Sequence, residues 1–100
     1  MSLPRLSGKE AVIMDLLVQS GEMYGLEMVK ASDELKRGTV YVTLNRMADK
    51  GYVESRVMDE DPTPGLPRRL YRATPHGVRV FHLWEQYRAA AAALEEGWAT

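Results

Sequence analysis

One hundred residues, 45% hydrophobic and 27% charged, make one ordinary globular domain, or a small domain plus an extra helix, and exclude a disordered chain. Without cysteine there is no disulfide scaffold, thiolate zinc site or cysteine nucleophile, and a cytoplasmic setting is expected. Net charge is −1, but it is segregated: Lys36 to Arg79 holds nine bases against five acids, a local +4, while the remainder carries −5.

The first helix is expected to start at Ser7, whose side chain can accept from the Glu10 N–H while Glu10 reaches back, the S-x-x-E capping box. Ile13, Leu16 and Leu17 recur at helical spacing, and Gly21 supplies a left-handed stop. A second helix is expected from about Tyr24 to Ser32 with Leu26 and Val29 inward, and a third from about Arg37 to Lys50. In the third, Val40, Leu44 and Met47 share one face and Gly51 ends it. Only a few residues separate helices two and three, which suits helix-turn-helix geometry.

The period then changes to alternation in residues 52–57, YVESRV, with Val53, Ser55 and Val57 on one side. DEDPTPGLP at 59–67 reads as a loop, since three prolines and a glycine forbid a continued ladder. Residues 70–73, LYRA, read as the return strand, led in by Arg68 and Arg69. This gives a two-stranded wing, which must lean on the helices for stability. Thr74 then caps a last helix with Pro75 at its first position, running from about His76 to Glu96. Val80, Trp84, Tyr87, Ala91, Leu94 and Trp98 fall at alternating spacings of four and three, a seam for a second copy. The alanines at 89–93 keep that stripe shallow.

The fold class expected is therefore mainly α with a small β-hairpin. Residues 1–75 form a winged helix-turn-helix, and residues 76–100 a C-terminal dimerisation helix.

With Val40, Leu44 and Met47 inward, Thr39, Val42, Thr43 and Arg46 are expected to project outward. That set suits the major groove of double-stranded DNA: Arg46 for guanine, threonine hydroxyls for base edges or phosphate, Val42 for a thymine methyl. Tyr41, at the flank, could donate to phosphate, and Lys36 and Arg37 reach phosphate before the helix. Arg68 and Arg69 at the base of the wing grip the neighbouring minor groove or its rim. Asp59, Glu60 and Asp61 would repel phosphate, so the wing tip points past the duplex. His76 and His82 lack partners at ligand spacing, and there is no phosphate loop or nucleophile motif, so neither metal, cofactor nor enzyme activity is expected. No apolar run approaches the ~18–20 residues of a membrane span, and no membrane partner is expected.

These residues resemble the PadR family of bacterial transcriptional regulators. The matches are MYGLEM at 23–28, GTVY at 38–41, LNRM at 44–47, GYVE at 51–54 and PRRLYRATPHG at 67–77. The resemblance implies a dimeric, repressor-like winged helix with its third helix in the major groove, wing arginines beside it and dimerisation through the last helix. Lys36 departs from the family, which often carries Ser or a similar cap two residues before Gly38. A single helix after Gly77 matches the short-tailed branch, with no separate effector domain. Some relatives bind flat aromatic or cationic drugs between tryptophans at the dimer interface, which makes Trp84 and Trp98 candidate ligand contacts for a small-molecule effector, beside their packing role. Two rival readings are a protein–protein adaptor with an incidental basic patch and a small-molecule sensor that binds planar ligands.

Overall fold

Ser7 starts the first helix as its sequence requires: its Oγ accepts from the Glu10 N–H at 3.2 Å, and the Glu10 carboxylate accepts from the Ser7 N–H at 2.9 Å. The computed structural model describes residues 5–58 and 68–98, with side chains as far as 95. The expected loop over 59–67 and the Trp98 side chain lie outside the described residues. The elements are α1 (Gly8–Ser20), β1 (Glu22–Tyr24), α2 (Gly25–Ala31), α3 (Val40–Asp49), β2 (Val53–Met58), β3 (Arg68–Ala73) and α4 (Pro75–Trp98). The chain is mainly helical with one small antiparallel sheet.

Gly21 ends α1 with φ +86, and its N–H donates to the Leu17 carbonyl at 2.8 Å. The chain then makes three residues of strand before turning into α2. In the sheet order β1–β3–β2, Met23 faces Tyr71 and Val53 faces Ala73. The two-stranded wing of β2 and β3 is thus extended by β1 into a three-stranded sheet, and β3 is anchored on both edges. With β1 over residues 22–24, α2 starts at Gly25, and Val29 is half-buried against the core as expected. Met28 is buried with Gly25, while Leu26, expected inward, is exposed.

Helix α3 begins at Val40 rather than Arg37. Residues 37–39 form a turn closed by the Lys36 carbonyl, which accepts from the N–H groups of Thr39 (3.1 Å) and Val40 (2.9 Å). Backbone thus does the capping where no side chain caps the helix. Val40, Leu44 and Met47 are buried as the pattern predicts, against Ile13, Met14 and Leu17 of α1 and Met28 of α2 in one core. Val80 and Phe81 of α4 enter the same core, so the first turns of the last helix complete the winged domain.

The joint between α3 and β2 is where three elements meet. Gly51 turns with φ +77, and the Tyr52 carbonyl accepts from the Thr74 N–H at 3.0 Å. Thr74 Oγ1 accepts from the Gly77 N–H at 3.0 Å, capping α4, and donates to the Gly51 carbonyl. Gly77 packs so tightly here that an added Cβ would lie 2.1 Å from the Tyr52 carbonyl oxygen. Alanine normally favours a helix over glycine by ~1 kcal/mol. At this position the clash is with a hydrogen-bonded backbone group that cannot swing aside, and it outweighs that gain. Gly77→Ala is expected to lower stability by about 1–3 kcal/mol in urea denaturation. A midpoint equal to or above the wild type contradicts this packing.

Candidate nucleic-acid interface

The outer face of α3 is open. Thr39, Tyr41, Val42, Asn45 and Arg46 are exposed, with Val42 at 53%. Thr39, Val42 and Arg46 line one wall of a cleft of about 690 Å³, and Ser7, Gly8 and Lys9 at the start of α1 line the other. Thr43 does not project as expected. It is 9% exposed at the cleft floor, and its Oγ1 donates to the Thr39 carbonyl at 3.1 Å. That bond fills its hydroxyl within the helix, so Thr43 supports the face more than it offers a free group. Thr39 Oγ1 donates to the Lys36 carbonyl at 3.4 Å while remaining exposed.

Tyr41 reaches back across α2. A Cβ on Gly25 would lie 2.7 Å from its ring, so Gly25 is what allows the two helices of the helix-turn-helix to approach so closely. In the sequence the sign of this close approach is the glycine that opens α2. Tyr41 keeps 42% exposure at the edge of the α3 face. Tyr71 lies nearby, buried in the sheet. Burial pushes its hydroxyl above the ordinary tyrosine range, with Tyr41 adding to the rise and Arg69 opposing it.

The bases expected to form one patch divide into two groups. Lys36 and Arg37 are exposed in the turn before α3, and Arg46 has no ion-pair partner among the described residues. Arg56 pairs with Glu22 at 3.1 Å, Arg72 with Glu54, and Lys50 with Glu10 at 2.9 Å. Glu22, Arg72 and Glu54 form one cross-strand row, so the sheet neutralises Arg56 and Arg72 with its own acids.

Arg68 and Arg69, expected to act together, point to opposite faces because successive strand residues alternate. Arg69 shares the face of Tyr71 and the helices, with Nη1 3.4 Å from Ser55 Oγ. Arg68 lies on the other face, its guanidinium 5.8 Å from the Tyr24 ring centre.

Glu10 carries more than the helix cap. Burial alone would raise its pKa; the Ser7 backbone N–H, Lys50 and the Ser7 hydroxyl together outweigh this and hold the carboxyl below its ordinary range. Lys50 in turn lies 5.7 Å from the Tyr52 ring centre, and that ring is 5.6 Å from His76. The start of α1, the end of α3 and the start of α4 are thus tied along one line of contacts.

On α4, Val80 is 7% exposed and belongs to the protomer's own core, so it is not available to a second copy as expected. Phe81, not singled out in the sequence, is buried beside it at 5%. Trp84 is half-buried, its ring centre 6.4 Å from Phe81, with the Arg88 guanidinium 5.0 Å away. Ala91 is half-buried, while Leu83, Tyr87 and Leu94 are exposed, Leu94 at 67%. Among the described residues no cluster of His, Asp or Glu could hold a metal ion, and no helix is long and apolar enough to cross a membrane.

Three helices, a three-stranded sheet whose hairpin forms a wing, and an uncovered third-helix face define a winged helix-turn-helix protein. The model of the transcriptional regulator PadR-like family matches residues 13–83, and the chain belongs to that family. A PadR family transcription regulator from Clostridium difficile R20291 is similar at 24% identity and TM-score 0.78, covering 94% of this chain and 100% of the other. A PadR family transcriptional regulator from Eggerthella lenta DSM 2243 shares 25% identity at TM-score 0.68, over 90% and 83% of the two chains. Bacillus subtilis PadR, solved in complex with operator DNA, is 19% identical at TM-score 0.65, over 86% of this chain and 58% of that one. Comparison with curated proteins found no match.

The sign of the Glu10 shift sets a pH dependence. A carboxyl held low in the fold adds stability that is fully present above its unfolded pKa and is lost as pH falls through the carboxylate range toward the folded value. The thermal midpoint is therefore expected to drop between about pH 5 and pH 3. Glu10→Gln should flatten that drop while lowering stability at pH 7. An undiminished acid slope in the variant contradicts the assignment.

Proposed function

We propose that this protein is a sequence-specific DNA-binding transcription regulator that works as a homodimer on a pseudo-palindromic operator, most simply as a repressor that occludes a promoter. The observation that carries the reading is the open α3 face, where exposed Val42 and Thr39 stand beside Arg46 along a cleft of about 690 Å³. An apolar tip, a hydroxyl and a guanidinium suit base edges in the major groove. Lys36 and Arg37 precede this face, and Arg69 extends from the helix side of the sheet toward flanking phosphate. Membership of a transcriptional regulator family and the likeness to a PadR held on operator DNA support the same use.

Dimerisation is inferred from α4. Tyr87 and Leu94 are exposed on the part of the helix that extends beyond Phe81, where no described element covers them. Two such helices packed together would place the α3 faces for half-sites about one helical turn, ~34 Å, apart. A planar-ligand site at Trp84 is the weaker reading, because Arg88 already supplies a cation to that ring.

Arg46→Ala is expected to weaken binding to the preferred duplex by about 1–3 kcal/mol and to relax preference at one base, measured by fluorescence anisotropy at several salt concentrations. Arg69→Ala is expected to weaken all duplexes alike. Equal affinity of the wild type for every duplex overturns sequence reading and favours an adaptor or non-specific binder. For the dimer, Leu94→Arg combined with Tyr87→Glu is expected to move the sedimentation coefficient to that of a monomer, and an unchanged value removes this face from the interface.

A further inference from the structure

The cleft over α3 has a second wall, and its chemistry is that of a phosphate contact. Ser7, Gly8 and Lys9 face Thr39, Val42 and Arg46 across it. The facing is fixed, because the Glu10 carboxylate next to Lys9 pairs with Lys50 at the end of α3 at 2.9 Å. Among the described residues Glu10 is the one acid lining the cleft, and its charge is met by Lys50. Lys9 and Arg46 are left as cations with no ion-pair partner among the described residues, so the cleft is net positive. There is also room: a Cβ added at Gly8 would meet nothing within 4 Å.

We infer that Lys9 is a backbone-binding residue of the DNA interface, and that the sugar-phosphate strand bordering the major groove lies in the cleft between α1 and α3. This rests on the DNA-binding reading above. When α3 enters a major groove about 12 Å wide, a wall beside the helix cannot enter with it and must stand over the strand at the groove's edge. A lysine there meets phosphate oxygens and carries no sequence information; it fixes how far and at what tilt α3 enters. The footprint on each half-site then has three supports: Lys9 on one side of α3, Arg69 of the wing on the other and the turn at Lys36 and Arg37.

The test uses the full chain and two fluorescein-labelled duplexes, one of mixed sequence and one recovered from an unbiased selection of random duplexes. Lys9→Ala is expected to weaken both by the same factor, roughly 3-fold at low salt, and to reduce the slope of log affinity against log salt by about 0.9 per protomer. Lys9→Arg should retain both, and Lys9→Glu should exceed the alanine loss. Because Lys9 is exposed, thermal midpoints should not change. An unchanged slope with Lys9→Ala, or a loss confined to the selected duplex, overturns the contact while leaving DNA binding in place. If the wild type binds neither duplex at low salt, the reading beneath it falls, and the contact with it.

Discussion

The ion pair between Glu10 and Lys50, 2.9 Å long with the carboxylate 6% exposed, is the constraint on which the rest of the interface depends. A helix cap usually ends its influence within one turn. Here the same carboxylate that closes the first turn of α1 also holds the end of α3, forty residues away. The Lys50 side chain is 45% exposed, so the pair adds little Coulomb energy for its own sake. Its larger effect is geometric. A buried carboxylate with fixed donors allows one arrangement of the two helices, and breaking the pair leaves a buried charge unmatched.

The division of labour on α3 follows from that arrangement. The core takes Val40, Leu44 and Met47, Thr43 is buried at the cleft floor, and Thr39, Val42 and Arg46 face outward. The sheet balances two of its arginines, Arg56 and Arg72, with acids of its own. Lys9, Lys36, Arg37 and Arg46, beside or just before α3, have no ion-pair partner among the described residues. A chain of net charge −1 can in this way present a cationic surface to phosphate without being basic overall.

Local rules carried much of this in the sequence. The S-x-x-E box at Ser7, the glycine stops at Gly21 and Gly51, the buried stripe of α3 and the Thr74-Pro75 start are all decided by neighbours within one turn, and the structure has each of them. Features decided by distant partners were not legible. Strand β1 is three residues long and exists only because β3 offers it an edge. No spacing rule links Glu10 to Lys50. Val80 and Phe81 are core because α4 begins against α1, and a heptad count alone cannot separate that use from a dimer seam.

Two departures from the expected site are matters of angle rather than of distance. At 100° per residue Thr43 lies only about 70° from the centre of the buried stripe, so its burial was within reach of the helical wheel. Arg68 and Arg69 are adjacent in the sequence, but the strand they begin alternates its faces and separates them.

The most direct test of the Glu10 constraint is a double-mutant cycle of Glu10→Gln and Lys50→Met, read in two ways: stability in urea, and the ratio of affinities for a selected and a mixed-sequence duplex. The account predicts coupling in both, with stability non-additive by about 0.5–3 kcal/mol and the affinity ratio falling as far in either single variant as in the double. Strict additivity in stability together with an unaltered affinity ratio in all three variants would contradict it.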